Sequence, residues 1–104
     1  MTAQPGIRVL PEAEKKVHPR YQVVLLNDED HTYAYVIEML VRILGVATEK
    51  AYEHALEVDS TGRTVVYLGP MEPAEHIRDL IQGFGADPRI KRCQGPMSAD
   101  IEEV

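Results

Sequence analysis

Runs of apolar residues separated by polar turns predict the secondary structure of the first half of the chain. Residues 21–26 are rich in Val and Leu and are followed by an acidic loop, which is typical of a well-buried strand. From Tyr33 the apolar residues recur with the spacing of an amphipathic helix, which Gly45 is expected to end. A second helix, with Thr48 as its N-cap, should finish between residues 59 and 62.

The second half of the pattern predicts a strand, a helix and a weaker strand. Residues 63–68 have strand composition, and the Gly-Pro pair after them ends the strand because Pro cannot donate a hydrogen bond to a neighbouring strand. Pro73 fits the first turn of a third helix that Gly83 or Gly85 would end, and residues 90–93 form the weaker strand. The order β-α-α-β-α-β predicts an α+β fold, with three helices packed on a small three-stranded antiparallel sheet.

The two ends of the chain lack this pattern. Residues 1–20 mix prolines with charged side chains and are predicted to be a flexible N-terminal arm. Residues 95–104 are acidic and are predicted to be a loosely ordered tail. The folded part is then residues 21–94, and a chain of 104 residues that is 44% hydrophobic has room for one domain with its own core.

Composition restricts the classes of binding partner and the cellular compartment that can be expected. A net charge of -6 and a pI near 5.1 argue against nucleic acid or an anionic membrane surface, because phosphate groups are bound by clustered Lys and Arg. No run approaches the roughly 20 apolar residues of a membrane span. Cys93 is the single cysteine, so an internal disulfide is excluded and the cytoplasm is the expected compartment.

Enzymatic chemistry finds little support in the sequence. The chain has no GxSxG, HExxH, P-loop or dinucleotide-binding motif, so no catalytic residue and no cofactor is predicted. Cys93 has no nucleophile signature around it, and a packing or surface role is favoured over a reactive thiol.

The loop between the first strand and the first helix is the candidate site. Its six residues, Asn27 to Thr32, gather several hydrogen-bond acceptors at the end of an apolar segment, which indicates a site for a cationic or donor-rich group. A metal ion held by Asp28, Asp30 and His31 is one alternative, although the spacing does not fit an EF-hand. Another is a helix N-terminus that carboxylates simply stabilise.

The same loop carries a family resemblance. Residues 21–29, Tyr-Gln-Val-Val-Leu-Leu-Asn-Asp-Glu, and residues 35–40, Tyr-Val-Ile-Glu-Met-Leu, resemble the ClpS family of protease adaptors, and weaker similarity extends over residues 21–93. The resemblance implies a non-enzymatic, monomeric adaptor. Such a protein binds targets whose first residue is a bulky hydrophobic (an N-degron: Leu, Phe, Tyr or Trp, or in a wider set Ile or Val). It delivers them to the N-domain of a Clp AAA+ unfoldase.

The resemblance also assigns residues to the site. Asn27, Asp28 and Asp59 would bind the target's α-amino group, and no metal ligand is implied. The walls of the pocket for the first side chain would be Glu29, His31, Tyr33, Val36, Ile37, Leu40, Ala55 and Val58. Glu72 and Glu75 match an acidic pattern that the family uses toward the unfoldase.

The chain departs from the family pattern at four positions. Asp59 stands where a histidine is usual, and we retain it as a ligand because a charge-assisted hydrogen bond is about twice as strong as a neutral one. The alternative is a side chain turned to solvent at a helix end. Tyr33 and Ala55 replace methionines, which should narrow the entrance and free space deeper in, and Ile77 replaces a lysine. A divergent interaction module that has lost amine recognition is therefore the alternative function.

Overall fold

A computed structural model of the chain describes residues 19–27, 30–91 and 95–104. The elements in chain order are β1 (Tyr21–Leu26), α1 (Tyr33–Leu44), α2 (Thr48–Thr61), β2 (Arg63–Gly69), α3 (Met71–Gln82) and β3 (Ser98–Glu103). The predicted fold class is confirmed, because three helices accompany a three-stranded sheet in which β1 pairs antiparallel with both neighbours. Residues 1–18, which make up most of the predicted arm, lie outside the described residues.

The third strand lies further along the chain than the sequence predicted. Residues 90 and 91 are in a turn, and residues 92–94 lie outside the described part. The segment expected to be a loose tail instead provides β3, which pairs with β1 along its whole length, from Tyr21 opposite Glu103 to Leu26 opposite Ser98. The acidic residues of this segment alternate with core residues and conceal the strand pattern. Ala99 is 1% exposed and Ile101 packs against the core.

The core lies between the sheet and the helices. β1 is the central strand, in the order β2-β1-β3, and its Val23 and Leu25 are fully buried against the helices. The buried members of the helices are Tyr35, Val36, Met39 and Leu40 of α1, Ala51, Ala55 and Val58 of α2, and Ala74 and Ile81 of α3. All three buried side chains of α2 are small or medium in size, so its backbone can approach α1 closely.

Glycines end α1 and α2 as the pattern predicted. Gly45 adopts a left-handed conformation (φ 69°), and its N–H donates to the Val41 carbonyl. Gly62 does the same after α2 (φ 92°), with its N–H bonded to the Val58 carbonyl. A side chain would strain these conformations, which is why glycine is favoured at both positions.

Polar contacts fix α2 on the sheet. The hydroxyl of Thr64, which is 2% exposed on β2, donates to the Glu57 carboxylate. His54 Nδ1 lies 2.8 Å from the same hydroxyl oxygen, so the ring donates to it. Burial lowers the pKa of His54, and the nearby Lys50 lowers it further. These bonds hold the second half of α2, which carries part of the candidate site.

Candidate functional site

A cavity of about 320 Å³ opens between the start of α1, the second half of α2 and the segment before β3. Its volume is at the small end of the range of ligand pockets. The described residues that line it are Asn27, His31, Thr32, Tyr33, Val36, Ala55, Val58, Asp59 and Met97.

The cavity contains most of the predicted site residues. Seven of those lining residues carry a predicted role, namely Asn27, His31, Tyr33, Val36, Ala55, Val58 and Asp59. Ile37 and Leu40 do not line it, since Leu40 is fully buried in the core and Ile37 packs against that core. Asp28 and Glu29 lie outside the described residues. The part that each residue takes in binding stays a prediction.

The sequence did not single out two of the lining residues, Thr32 and Met97. Met97 is 2% exposed and lies in the segment that was expected to be a loose tail. The period-two spacing of Met97, Ala99 and Ile101 was the signal that could have found it. Thr32 was part of the polar loop, but its position before an amphipathic helix indicates an N-cap.

Four of the lining residues are apolar and buried, while polar groups supply most of the accessible surface of the cavity. Val36, Ala55, Val58 and Met97 are each no more than 3% exposed. Asn27 and Asp59, by contrast, are exposed at the rim. An apolar side chain that packs on these four residues could therefore be joined to a donor-rich group at the rim.

A hydrogen bond crosses the mouth of the cavity. The Tyr33 hydroxyl, from the first residue of α1, donates to Asp59 Oδ2 in the last turn of α2 at 2.6 Å. This hydrogen bond raises the pKa of Tyr33 above its ordinary value of 10.0. Asp59 is exposed, as the solvent-facing alternative expected, but its carboxylate is held at the rim by Tyr33. A carboxylate keeps further acceptor capacity after accepting one hydrogen bond.

The end of β1 is tied to the end of α2. The backbone N–H of Asn27 donates to the carbonyl of Gly62 at 3.0 Å. Gly62 follows the last turn of α2, which carries Asp59. This bond places two acceptor side chains, Asn27 and Asp59, on the same rim although they are far apart in sequence.

The start of α1 is anchored by a buried carboxylate. Thr32 is the N-cap, since its Oγ1 accepts from the backbone N–H of Tyr35 at 3.1 Å. Asp87 is 1% exposed and accepts from the N–H and hydroxyl of Thr32, and from the N–H and guanidinium of Arg89, at 2.8 to 3.2 Å. Burial raises the pKa of Asp87, but these hydrogen bonds outweigh it and lower the pKa to about 2. The anchor holds the two lining residues that flank Thr32.

His31 forms part of the wall that faces the segment before β3. Its Nε2 lies 2.8 Å from the carbonyl oxygen of Gly95, to which it donates. Its ring packs on Tyr35, with the ring centroids 4.6 Å apart and the planes tilted by 45°. His31 thereby joins the start of α1 to the segment that supplies Met97.

The residues predicted to contact an unfoldase lie on a different element. Glu72 and Glu75 are exposed on α3, and Glu72 is in its first turn. Ile77, which stands in place of the family's usual lysine, is partly buried and packs against the core. These acidic side chains are therefore accessible to a partner, whereas Ile77 serves packing.

Two further properties apply to the described residues. They contain no cluster of three or more His, Cys, Asp or Glu side chains that could hold a metal ion. In this part of the chain no helix has the length and apolar character needed to cross a membrane.

The fold and the cavity define a small α+β binding domain, and comparisons with known proteins specify its family. The family model of the ATP-dependent Clp protease adaptor protein ClpS matches residues 16–88. The ClpS adapter of Hydrogenovibrio crunogenus is 39% identical over 98 residues, covering 92% of this chain and 89% of that protein. The ClpS adapter of Nostoc is 37% identical over 72 residues, covering 68% of this chain and 74% of that protein. The chain belongs to the ClpS family of adaptors of the ATP-dependent Clp protease.

A solved structure shares the fold. The structure of Agrobacterium tumefaciens ClpS2 bound to L-phenylalaninamide matches with a TM-score of 0.65, covering 83% of this chain and 98% of that chain. Sequence identity over the match is 19%, so the likeness concerns the fold.

Proposed function

We propose that this protein binds the free α-amino group and the bulky hydrophobic first side chain of target proteins and delivers these targets to a Clp AAA+ unfoldase. The observation that carries the proposal is the cavity itself, which has four buried apolar side chains in its lining and the acceptors Asn27 and Asp59 on its rim. The ClpS2 ligand, L-phenylalaninamide, combines an α-amino group with an aromatic side chain, which supports this assignment.

The rim has the chemistry that an α-amino group requires. With an ordinary pKa of about 7.7 to 8.0, this group is mostly an ammonium with donors only at pH 7. Asn27 offers an amide oxygen and Asp59 a carboxylate, and Asp28 is the third proposed ligand. Tyr33 already donates to Oδ2 of Asp59, so the carboxylate is oriented before a target arrives.

The buried apolar residues of the lining offer a surface on which a hydrophobic side chain can pack. Burying a Leu or Phe side chain contributes about 1.5 to 3 kcal/mol. We place Leu, Phe, Tyr and Trp in the accepted set, with Ile and Val as a wider set. Tyr33 lies at the mouth and the small Ala55 lies on the wall, so the former limits the entrance while the latter leaves space inside.

Delivery is assigned to a second surface. Glu72 and Glu75 are exposed on α3, and we propose that they contact the N-domain of the unfoldase. A monomer in the cytoplasm completes the proposal.

The test is a titration of fluorescent peptides that begin with Leu, Phe, Tyr, Trp, Ile, Val or Gly, each with a free and an acetylated N-terminus. Free-amine peptides with a large hydrophobic first residue should bind at least tenfold more tightly than their acetylated forms, because acetylation removes the charge and two donors. Equal affinities for every pair would refute amine recognition and favour a divergent interaction module on the same fold.

A further inference from the structure

An exposed apolar surface adjoins the mouth of the cavity. Tyr52 and Leu56, one turn apart on α2, are 46% and 40% exposed. The Tyr33 ring packs against Tyr52 with a centroid distance of 6.0 Å and an interplanar angle of 58°. We call Tyr33, Tyr52 and Leu56 the rim ledge. Single exposed apolar residues are common, but the rim ledge is continuous with the cavity through Tyr33, which lines both.

The rim ledge lies on nearly the same side of α2 as Asp59, the proposed amine ligand. Residues 52 and 59 are separated by seven positions, or about 10 Å along the helix axis, and lie on nearly the same side of the helix. The ledge therefore extends from the carboxylate of Asp59 toward the start of α2. Asn27, at the end of β1, lies on the rim as the polar counterpart.

When the first residue of the target fills the cavity, its second residue must lie over the rim. The Cα atoms of consecutive residues are about 3.8 Å apart, so the second residue is placed outside the cavity and close to the mouth. An apolar side chain at this position can cover the exposed rings and Leu56, whereas an acidic one would lie near the Asp59 carboxylate.

Resting on the proposed function, we infer that the rim ledge binds the side chain of the target's second residue and favours apolar and aromatic residues there over small polar and acidic ones. The first side chain would then select the target inside the cavity, and the second would select it at the surface.

The experiment varies the second residue of free-amine peptides that begin with Phe, using Phe, Leu, Ser and Asp at position two, each with an acetylated counterpart. Dissociation constants are measured by fluorescence anisotropy for the wild type, Tyr52→Ala and Leu68→Ala. Leu68 lies on β2 and is also 46% exposed, outside the cavity lining, so it is the matched control.

Wild type and Leu68→Ala should bind peptides with Phe or Leu at position two about five- to tenfold more tightly than the Ser peptide, and the Asp peptide most weakly. Tyr52→Ala should reduce the preference for an apolar second residue to within about twofold, while acetylation still weakens binding at least tenfold. Two outcomes would refute binding of the second side chain by the rim ledge but leave amine recognition supported, provided that acetylation still weakens binding. One is no preference at position two, and the other is the same preference in Tyr52→Ala as in the wild type. Binding that ignores acetylation would overturn both proposals.

Discussion

At the mouth of the cavity, one hydrogen bond joins two of the residues that depart from the family pattern. Tyr33 donates to Asp59 across the gap between α1 and α2. From the sequence, Tyr33 was predicted to be a gate and Asp59 an amine ligand, with no link between them. The structure links the two residues, since the Tyr33 hydroxyl donates to the Asp59 carboxylate.

Asp59 should contribute strongly to amine binding. Asp59→Ala is expected to weaken a free-amine peptide that begins with Phe by about 1.5 to 3 kcal/mol, the range for a hydrogen bond to a charged group. Glu53→Ala, which removes an exposed carboxylate of the same helix outside the cavity lining, should leave the affinity unchanged. Anisotropy titrations measure both, and an unaltered dissociation constant for Asp59→Ala would remove Asp59 from the site.

Tyr33 should act on selectivity through its ring. Tyr33→Ala is expected to improve the binding of peptides beginning with Ile or Val relative to Leu, because it removes bulk from the entrance. Tyr33→Phe keeps the ring and loses only the bond to Asp59, so its ranking of first residues should match that of the wild type. If both variants rank the peptides as the wild type does, Tyr33 is not a gate.

Among the elements, β3 belongs to the sheet and the segment just before it contributes to the cavity. The segment before it supplies Met97 to the cavity wall and Gly95 to the bond with His31. The strand itself pairs with the central strand β1. An acidic C-terminal sequence is therefore part of the structural frame of the cavity.

The two faces of β3 should tolerate charge very differently. Ala99→Asp places a carboxylate where the side chain is 1% exposed, and it should lower the free energy of unfolding by more than about 2 kcal/mol. Asp100→Ala, one residue further on an exposed position, should change it by less than about 0.5 kcal/mol. Urea unfolding followed by circular dichroism measures both, and equal effects would mean that β3 does not hold this register in solution.

At the scale of the whole molecule, Asp87 links the start of α1 to the segment between α3 and β3. Asp87 is buried, and its pKa is lowered from 3.8 to about 2 by hydrogen bonds from Thr32 and Arg89. Because the folded state binds the proton less tightly than the unfolded state, the carboxylate stabilises the fold above pH 3.8, and that stabilisation is lost as the pH falls toward about 2.

Asp87→Asn should therefore destabilise the protein in a pH-dependent manner. At pH 7 the free energy of unfolding should fall by about 1.5 to 3 kcal/mol, since hydrogen bonds to a charged group are replaced. The difference from the wild type should shrink as the pH is lowered from 5 to 3, on the approach to the folded-state pKa of about 2. Asp79→Asn, at an exposed carboxylate paired with Arg78, is the control. If the difference in the free energy of unfolding between Asp87→Asn and the wild type stays constant from pH 5 to 3, the charge of Asp87 does not stabilise the fold.

Most helices and strands could be predicted from the sequence because their signals are local, although the N-cap of α2 is Ala47 and not the predicted Thr48, which is the first residue of the helix. The apolar run of β1, the helical spacing from Tyr33, and the glycines that end α1 and α2 each lie within a few residues of what they specify. The fold class followed from the order of these elements, and the loop resemblance indicated most of the residues that line the cavity.

Features that depend on contacts between residues far apart in sequence became evident only from the packing of the folded chain. The position of β3 is set by its pairing with β1, a neighbour in the sheet that is far away in sequence, and the acidic composition of β3 argued against a strand. Packing placed Leu40 in the core and Met97 in the cavity wall. The hydrogen bond between Tyr33 and Asp59 joins two helices. These residues are 26 positions apart, so no local sequence pattern predicts that their side chains are in contact.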